Sequence, residues 1–258
     1  MGASLVIVGS GIRSGCDLTF AAREEIRRAE KLLYLVPDPI TATWLQELNP
    51  KAESLHGLYA HDKARASTYA QMADRIMSHL RSGRSVCVVS YGHPGVFAYP
   101  MHEAIRQARA AGFEATMIPG ISAIDWLYAD LGIDPGVGGC QIYDATAFLG
   151  KRREPDAEGS LILLQVGLIG ESTLPKKCNS KNFGRLIKRL AQIYGDDHEV
   201  VVYEASRFRV AYPMIQRMPL RHAKRAALSL GTTLYVPPRV RSREMISGMD
   251  RRAPRRRR

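Results

Sequence analysis

The stretch Tyr91-Gly92-His93-Pro94-Gly95-Val96-Phe97 directly follows an apolar run at Ser85–Ser90 that is predicted to be a β-strand. Two glycines flank a His-Pro pair, so the backbone can approach a ligand closely while the proline fixes the path of the chain. In open α/β sheets, ligands bind beyond the carboxyl ends of the strands, which is where this loop falls. The stretch is therefore predicted to be a ligand-binding loop, and a plain structural turn is the less favoured interpretation.

Strands and helices alternate on both sides of this loop, which predicts an α/β fold of two domains. The boundaries expected from the sequence are residues 1–119, residues 120–238 and a basic tail at residues 239–258. Ser122 and Asp125 fit a capping box that opens a helix to about Leu131. The other predicted strands are Ser4–Val8, Lys31–Val36, Glu114–Ile118, Ser160–Val166, Glu199–Tyr203 and Thr232–Val236, and the other predicted helices begin near Thr19, span residues 66–81, begin at Pro100 and span Asn182–Tyr194.

The net charge of +12 suggests a nucleic-acid partner at first sight, but its distribution weakens that interpretation. Residues 239–258 hold nine arginines against two acidic residues, so more than half of the excess lies in the tail. Like charges repel, and we interpret the tail as solvated chain. Electrostatic contact with an acidic partner is the alternative.

The cysteine pattern and the hydropathy indicate the cellular compartment and argue against a metal site. Four cysteines are scattered, and none forms a Cys-x-x-Cys pair, so neither a disulfide framework nor a zinc site is indicated. No apolar run is long enough to span a bilayer. We therefore expect a cytoplasmic protein that needs no metal.

The Gly9-x-Gly11 pair after the first strand raises the alternative of a dinucleotide-binding enzyme. That fingerprint needs a third glycine at position 14, where the chain has Ser14, and Gly15 comes one residue late. A Rossmann dehydrogenase is therefore a weak alternative, because a tight turn explains these glycines equally well.

The segment from Tyr91 to Phe97 resembles the glycine-proline-glycine loop of the tetrapyrrole methylase superfamily, whose members bind S-adenosylmethionine in a cleft between two α/β domains. Taken with five further segments in the same order, the chain resembles the borosin peptide α-N-methyltransferases, the omphalotin-type enzymes that methylate backbone amides. The resemblance covers roughly residues 4–238. The further segments are Asp62–Met72, Pro119–Ala123, Ala129–Pro135, Leu164–Gly167 and Tyr235–Pro238.

This resemblance implies a role for each of a small set of residues. Arg65, Tyr69 and Tyr91 match the catalytic side chains, and Tyr59 matches a tyrosine that lines the substrate site. The resemblance also implies a homodimer. The residues that it places against the methyl donor are His93, Val96, Ala98, Ser122, Ala123, Gln165, Tyr203, Thr232 and Thr233.

The chemistry explains why such residues are needed. A peptide nitrogen is a poor nucleophile because its lone pair is delocalised into the carbonyl. A tyrosine is mostly protonated at neutral pH, but a guanidinium within reach favours the phenolate, and Arg65 and Tyr69 lie four residues apart. The pair could act as a base, and Tyr91 could hold the amide oxygen. Without the resemblance, an ordinary exposed helical pair would be the favoured interpretation, and His93 is interpreted as a structural hydrogen-bonding histidine.

The substrate is expected to be a separate ribosomal precursor peptide. Fused relatives carry an apolar core peptide after the catalytic domains, whereas an arginine-rich run follows Pro238 here. Two alternatives remain open. One is a small-molecule methyltransferase of the tetrapyrrole type, and the other is an RNA-modifying methyltransferase that uses the basic tail.

Overall fold

The computed structural model describes residues 2–60, 62–151, 153–175, 178 and 180–239 of the chain. The predicted basic tail lies outside these residues apart from Arg239. The chain divides into two compact units. The N-terminal unit comprises Met1–Trp126 with Ser172–Leu174 and Ala205–Tyr212, and the C-terminal unit comprises Leu127–Glu171, Pro175–Glu204 and Pro213–Arg258.

The N-terminal unit is built on a parallel five-stranded sheet with helices on both faces. Leu5 and Ile7 pack against one core cluster, whereas Val8 packs against another, as the two-residue period of a strand requires. Because both faces are covered, the central strands are apolar along their length. The strands are β1 (Ser4–Gly9), β2 (Lys31–Leu35), β3 (Ala52–Ser54), β4 (Val86–Ser90) and β5 (Glu114–Ile118), in the order β3-β2-β4-β1-β5, and the helices are α1 (Phe20–Arg28), α2 (Pro39–Leu48), α3 (Arg65–Arg81) and α4 (Tyr99–Ala110).

The C-terminal unit is built on a mixed sheet. The long helix of this unit lays one apolar face on the sheet, where Phe183, Leu186 and Leu190 are buried with Phe148. The strands are β6 (Cys140–Asp144), β7 (Ser160–Leu164), β8 (Glu199–Glu204), β9 (Met214–Pro219) and β10 (Thr233–Val236), in the order β6-β7-β10-β8-β9, of which only β6 and β7 pair in parallel. The helices are α5 (Ala123–Leu131), which begins in the N-terminal unit, and α6 (Ala145–Gly150), α7 (Ser180–Tyr194) and α8 (Leu220–Ala223).

Four glycines bring the carboxyl ends of β1, β4 and β5 into direct backbone contact. Gly11 and Gly92 form an isolated antiparallel bridge, with N–H to O distances of 3.0 and 3.3 Å between heavy atoms. A Cβ on Gly9 would lie 2.2 Å from the Gly92 carbonyl oxygen, and one on Gly120 would lie 2.5 Å from the same oxygen. Close packing of the backbone thus accounts for Gly9, and a positive φ of 72° with a close approach to Asp17 accounts for Gly11.

We expect Gly9→Ala to destabilise the protein by about 2 to 3 kcal/mol, because the new methyl group meets backbone atoms that cannot rotate away. A matched control is Gly184→Ala in the interior of α7, where an added Cβ meets nothing within 4 Å. That change should stabilise the protein by about 1 kcal/mol through helix propensity. Urea unfolding of both variants measures the difference, and equal midpoints would contradict the packing argument.

Candidate functional site

Arg65, the first residue of α3, is held by both its backbone and its side chain. Its N–H donates to the Ser172 carbonyl at 2.8 Å, which replaces the side-chain cap that this helix start lacks. One helical turn later, the Arg65 Nε donates to the Tyr69 hydroxyl at 3.0 Å. The i,i+4 spacing thus gives a directed contact between guanidinium and phenol.

Tyr59 completes a three-residue group with Arg65 and Tyr69. It follows a short 3₁₀ turn at His56–Leu58 and packs, as Tyr69 does, against the core cluster under α3 and α4. Burial, the largest cause, and the neighbouring Tyr69 hydroxyl, to which Tyr59 is hydrogen-bonded, together raise the pKa of Tyr59 to about 12, while Arg65 opposes the rise. Tyr59 therefore keeps its proton at neutral pH and serves as a hydrogen-bond donor.

The raised pKa of Tyr59 predicts a specific loss of stability at alkaline pH. The phenol ionises near pH 10 in the unfolded chain and near pH 12 in the folded protein. Its contribution is therefore intact below pH 10 and is lost as the pH rises towards 12, by on the order of 2 kcal/mol. Urea unfolding at pH 8, 10 and 11 should show a smaller decline for Tyr59→Phe than for the wild type, and parallel declines would contradict the assignment.

The loop from Tyr91 to Ala98 begins where β4 ends. The Tyr91 N–H donates to the Leu35 carbonyl at 3.1 Å, and the Gly95 N–H donates to His93 Nδ1 at 2.9 Å. Because Nδ1 accepts this bond, the proton of a neutral imidazole lies on Nε2. The bond joins two residues of the loop, so the His93 ring stabilises the loop conformation. Val96 is half-buried, and its N–H donates to the His93 carbonyl at 3.1 Å. Ala98 packs on the same core cluster as Tyr59 and Tyr69, which brings the end of the loop to the tyrosine pair.

Ser122 and Ala123 stand at the start of α5. The Ser122 hydroxyl accepts from the N–H groups of Ile124 and Asp125, while the Asp125 carboxylate accepts from the Ser122 N–H at 2.6 Å. This reciprocal arrangement confirms the predicted capping box. Gly120, two residues earlier, abuts Gly92, so the start of α5 lies beside the loop after β4.

The other four predicted donor contacts lie together in the C-terminal unit. Gln165 follows β7, Thr232 precedes β10, and the Val166 N–H donates to the Thr232 carbonyl at 3.2 Å. Thr233 pairs with Tyr203 of β8. Tyr203 is fully buried, and its hydroxyl donates to the Asp130 carboxylate at 2.7 Å. Each of the two units therefore carries its own group of predicted residues.

Residues with strained backbone dihedral angles lie in the segments that carry the predicted site residues. Among the described residues, the non-glycine residues with positive φ are Asp62, Phe97 and Gln165, with φ of 64°, 51° and 59°. Asp62 lies between Tyr59 and Arg65, Phe97 lies in the loop after β4, and Gln165 is itself a predicted donor contact. Such conformations cost of order 1–3 kcal/mol and concentrate at functional sites, which supports the predicted positions.

Two features of this region were not predicted from the sequence. Tyr99, 63% exposed, lies against Tyr69 with ring centroids 6.2 Å apart. Asp17 is buried, and its carboxylate accepts from two backbone N–H groups and from the Trp126 indole at 2.7 Å. The contact between Asp17 and Trp126 joins residues 109 apart in the chain, so no local pattern could reveal it. Within the described residues, no helix is both long and apolar enough to cross a membrane.

The geometry defines an α/β protein of two units, each with its own group of polar and aromatic residues, and comparison with known proteins gives the family. The family model of the Tetrapyrrole (Corrin/Porphyrin) Methylases matches residues 4–208. The chain therefore belongs to the tetrapyrrole methylase family of methyltransferases. The uroporphyrin-III-C-methyltransferase from Thermus thermophilus shares the fold, with a TM-score of 0.64, 18% sequence identity and coverage of 92% of this chain and 93% of that one.

Other relatives are more similar to this chain in sequence than the Thermus thermophilus enzyme is. A Coprinopsis marcescibilis protein named as a methyltransferase and ribosomally synthesized type I borosin cyclic peptide precursor is 40% identical over 245 residues, which is 92% of this chain and 63% of the relative. The methyltransferase and omphalotin A precursor of Omphalotus olearius is 37% identical over 243 residues, or 92% and 58%. This chain thus spans about 60% of the length of these two relatives, whose names join a methyltransferase and a peptide precursor in one protein.

Proposed function

We propose that this protein transfers methyl groups from S-adenosylmethionine to backbone amide nitrogens of a ribosomally made peptide. The observation that carries the proposal is the group in which Arg65 donates to the Tyr69 hydroxyl beside a protonated Tyr59. The similarity to relatives named as borosin methyltransferases supports the peptide as the acceptor class.

The residues present fit the proposed methyl donor. Glycine contacts bring the backbone of three strand ends together. A positive φ occurs at the predicted donor contact Gln165 and at Phe97, which lies between the predicted contacts Val96 and Ala98. In the N-terminal unit, the loop from His93 to Ala98 and the start of α5 at Ser122 would contact the donor. Gln165 and the threonines at the start of β10, which belong to the C-terminal unit, stay predicted donor contacts. S-adenosylmethionine supplies an activated methyl group, so the protein needs chiefly to bind, orient and exclude water.

The catalytic residues must make the acceptor amide nitrogen nucleophilic. Its nitrogen must lose a proton before it can attack, and the Tyr69 oxygen is the proposed base. The Arg65 guanidinium stabilises negative charge on that oxygen through the hydrogen bond that it already donates. Tyr59, which keeps its proton, is hydrogen-bonded to Tyr69 and is proposed to donate to the same oxygen. Tyr91, at the end of β4, is proposed to hold the amide oxygen as negative charge builds there.

We further propose that the 258-residue chain acts as a homodimer on a peptide supplied as a separate molecule. A threaded peptide presents a new amide about every 3.3 Å, so several amides can pass one fixed site. Two-fold symmetry is the commonest arrangement of soluble oligomers. Light scattering of the purified chain tests the dimer, and a mass near 28.6 kDa at micromolar concentration would contradict it.

The function is tested by incubating the chain with S-adenosylmethionine and synthetic apolar peptides. Mass spectrometry should show additions of about 14 Da, one CH₂ each, and fragmentation should place them on backbone nitrogens. Calorimetry should show that the chelator-treated protein binds the donor. Methylation of a tetrapyrrole or an RNA with peptides untouched would replace the proposed acceptor, and failure to bind the donor would refute the proposal as a whole.

A further inference from the structure

Arg13 lies in the loop that follows β1 and is held by an aromatic ring. Its guanidinium carbon lies 3.5 Å from the centroid of the Trp126 ring. The Trp126 indole is fixed in turn by Asp17, whose carboxylate also accepts from the Arg13 N–H at 2.8 Å. Stacking fixes the plane of the guanidinium without consuming its hydrogen-bond donors.

The donors of this guanidinium have no acceptor among the described residues. Arg13 Nε is buried and makes no hydrogen bond there, and Arg13 takes part in none of the ion pairs of the described part of the chain. Other arginines of the N-terminal unit, such as Arg28 and Arg75, pair with carboxylates. A half-buried, oriented guanidinium that lacks an internal carboxylate is suited to bind a carboxylate from another molecule.

A second segment extends this surface. The Ser14 N–H, next to Arg13, donates to the Arg207 carbonyl at 2.9 Å, which brings the loop of residues 205–212 beside the loop after β1. That loop presents Arg209 to solvent, together with Val210 and Tyr212, which are 94% and 95% exposed. Cations thus lie next to exposed apolar side chains, and this combination is complementary to a chain with acidic and apolar residues.

We propose that Arg13 on Trp126, with Arg209, Val210 and Tyr212, forms a docking surface for an acidic, apolar segment of the substrate peptide outside the methylated stretch. The proposal rests on the proposed function for the identity of the peptide. A second copy of the chain is a poorer occupant, because a two-fold axis through this surface would set like charges against each other. Tethering the peptide here would raise the concentration of its acceptor amides at the Tyr69 site.

The two tryptophans of the chain allow a direct test. In a Trp44→Phe background, Trp126 is the sole tryptophan and reports on the stacked guanidinium. Titration with a synthetic peptide of alternating glutamate and leucine should change its emission in a saturable way, whereas the same peptide with glutamine in place of glutamate should not. Arg13→Ala should weaken binding of the glutamate peptide, measured by calorimetry, at least tenfold, while Arg23→Ala on the exposed face of α1 should change it less than twofold.

Several results would overturn the docking surface. Unchanged affinity in Arg13→Ala with an unaltered melting temperature would do so. Equal binding of the glutamine peptide, or tighter binding of a single-stranded oligonucleotide, would show a different ligand. Loss of the dimer in Tyr212→Ala, measured by light scattering, would show that a second copy covers the surface.

The failure of this inference differs from the failure of the proposed function. Arg13-dependent binding of the glutamate peptide without methylation of any peptide would keep the docking surface and refute the function. Methylation that proceeds equally with acidic and neutral flanking segments, and equally in Arg13→Ala, would keep the function and refute the docking surface.

Discussion

Replacement of Tyr69 by phenylalanine should lower the rate of peptide methylation by about 10² to 10⁴, the range expected for loss of a general base. The variant keeps the ring, so its packing on the core cluster and its contact with Tyr99 remain. It loses only the oxygen to which Arg65 donates. Single-turnover methylation followed by mass spectrometry measures the rate, and calorimetry should show unchanged binding of S-adenosylmethionine.

The matched control for this change is Tyr99→Phe, which removes a hydroxyl from the adjacent ring. Because the proposed proton transfer does not use that hydroxyl, the rate should stay within about threefold of the wild type, as is usual for a group outside the reaction. If Tyr69→Phe kept wild-type turnover, Tyr69 would not be the base. If both variants lost activity equally, the aromatic surface and not the Tyr69 oxygen would be what matters.

The strands inside each sheet, such as β1, β4 and β8, could be predicted from the sequence because burial on both faces makes them apolar. The edge strand β5 could also be predicted, although two of its five residues are exposed. Glu114–Ile118 was predicted with its observed ends, and β1, β4 and β8 were predicted to within one residue at either end. The strands that the sequence did not reveal, β3, β6 and β9, are the other three edge strands of the two sheets. They carry polar residues such as Glu53 and Gln216 because one long side faces solvent, so their hydrophobic pattern is weak.

Helix α2 was also missed, although its start signal is present. Asp38 accepts from the Thr41 N–H at 2.8 Å, and Pro39 occupies the first turn, which is a favourable N-terminal arrangement. In the sequence, Pro37 and Pro39 after the predicted strand Lys31–Val36 indicate the end of that strand and do not by themselves indicate a helix. Pro39 thus follows the end of β2 and also begins α2. The capping residue Asp38 is the signal that a helix starts there.

The candidate site was accessible from the sequence only where its contacts are local. The spacing of Arg65 and Tyr69 predicts their hydrogen bond because the helix begins at Arg65. The approach of Tyr59 to Tyr69 depends on the 3₁₀ turn before α3 and on a positive φ at Asp62, which no periodic pattern encodes. The position of Tyr99 depends likewise on the packing of α4 against α3. The three tyrosines are therefore brought together by tertiary structure, and the sequence around each of them does not indicate that they are neighbours.

Replacement of Arg65 by alanine should lower peptide methylation by about 10² to 10³, the loss typical of removing one hydrogen-bond donor from developing negative charge. The change removes the N–H that donates to the Tyr69 oxygen but keeps the helix, since alanine is the best helix former and the backbone bond to Ser172 is unaffected. Methylation rate and donor binding are measured as for Tyr69→Phe, and only the rate should fall.

Two further variants test whether Arg65 acts through its directed hydrogen bond to Tyr69 or through its positive charge alone. Arg81→Ala removes the same charge from the exposed end of α3 and should leave the rate within about threefold. Arg65→Lys keeps the charge but lacks the planar Nε–H, so it should recover less than a tenth of the lost activity. Full recovery with lysine would show that Arg65 acts through charge alone. The double variant Arg65→Ala with Tyr69→Phe should be no slower than Tyr69→Phe, because a guanidinium that acts through the Tyr69 oxygen has nothing left to lose once that oxygen is gone.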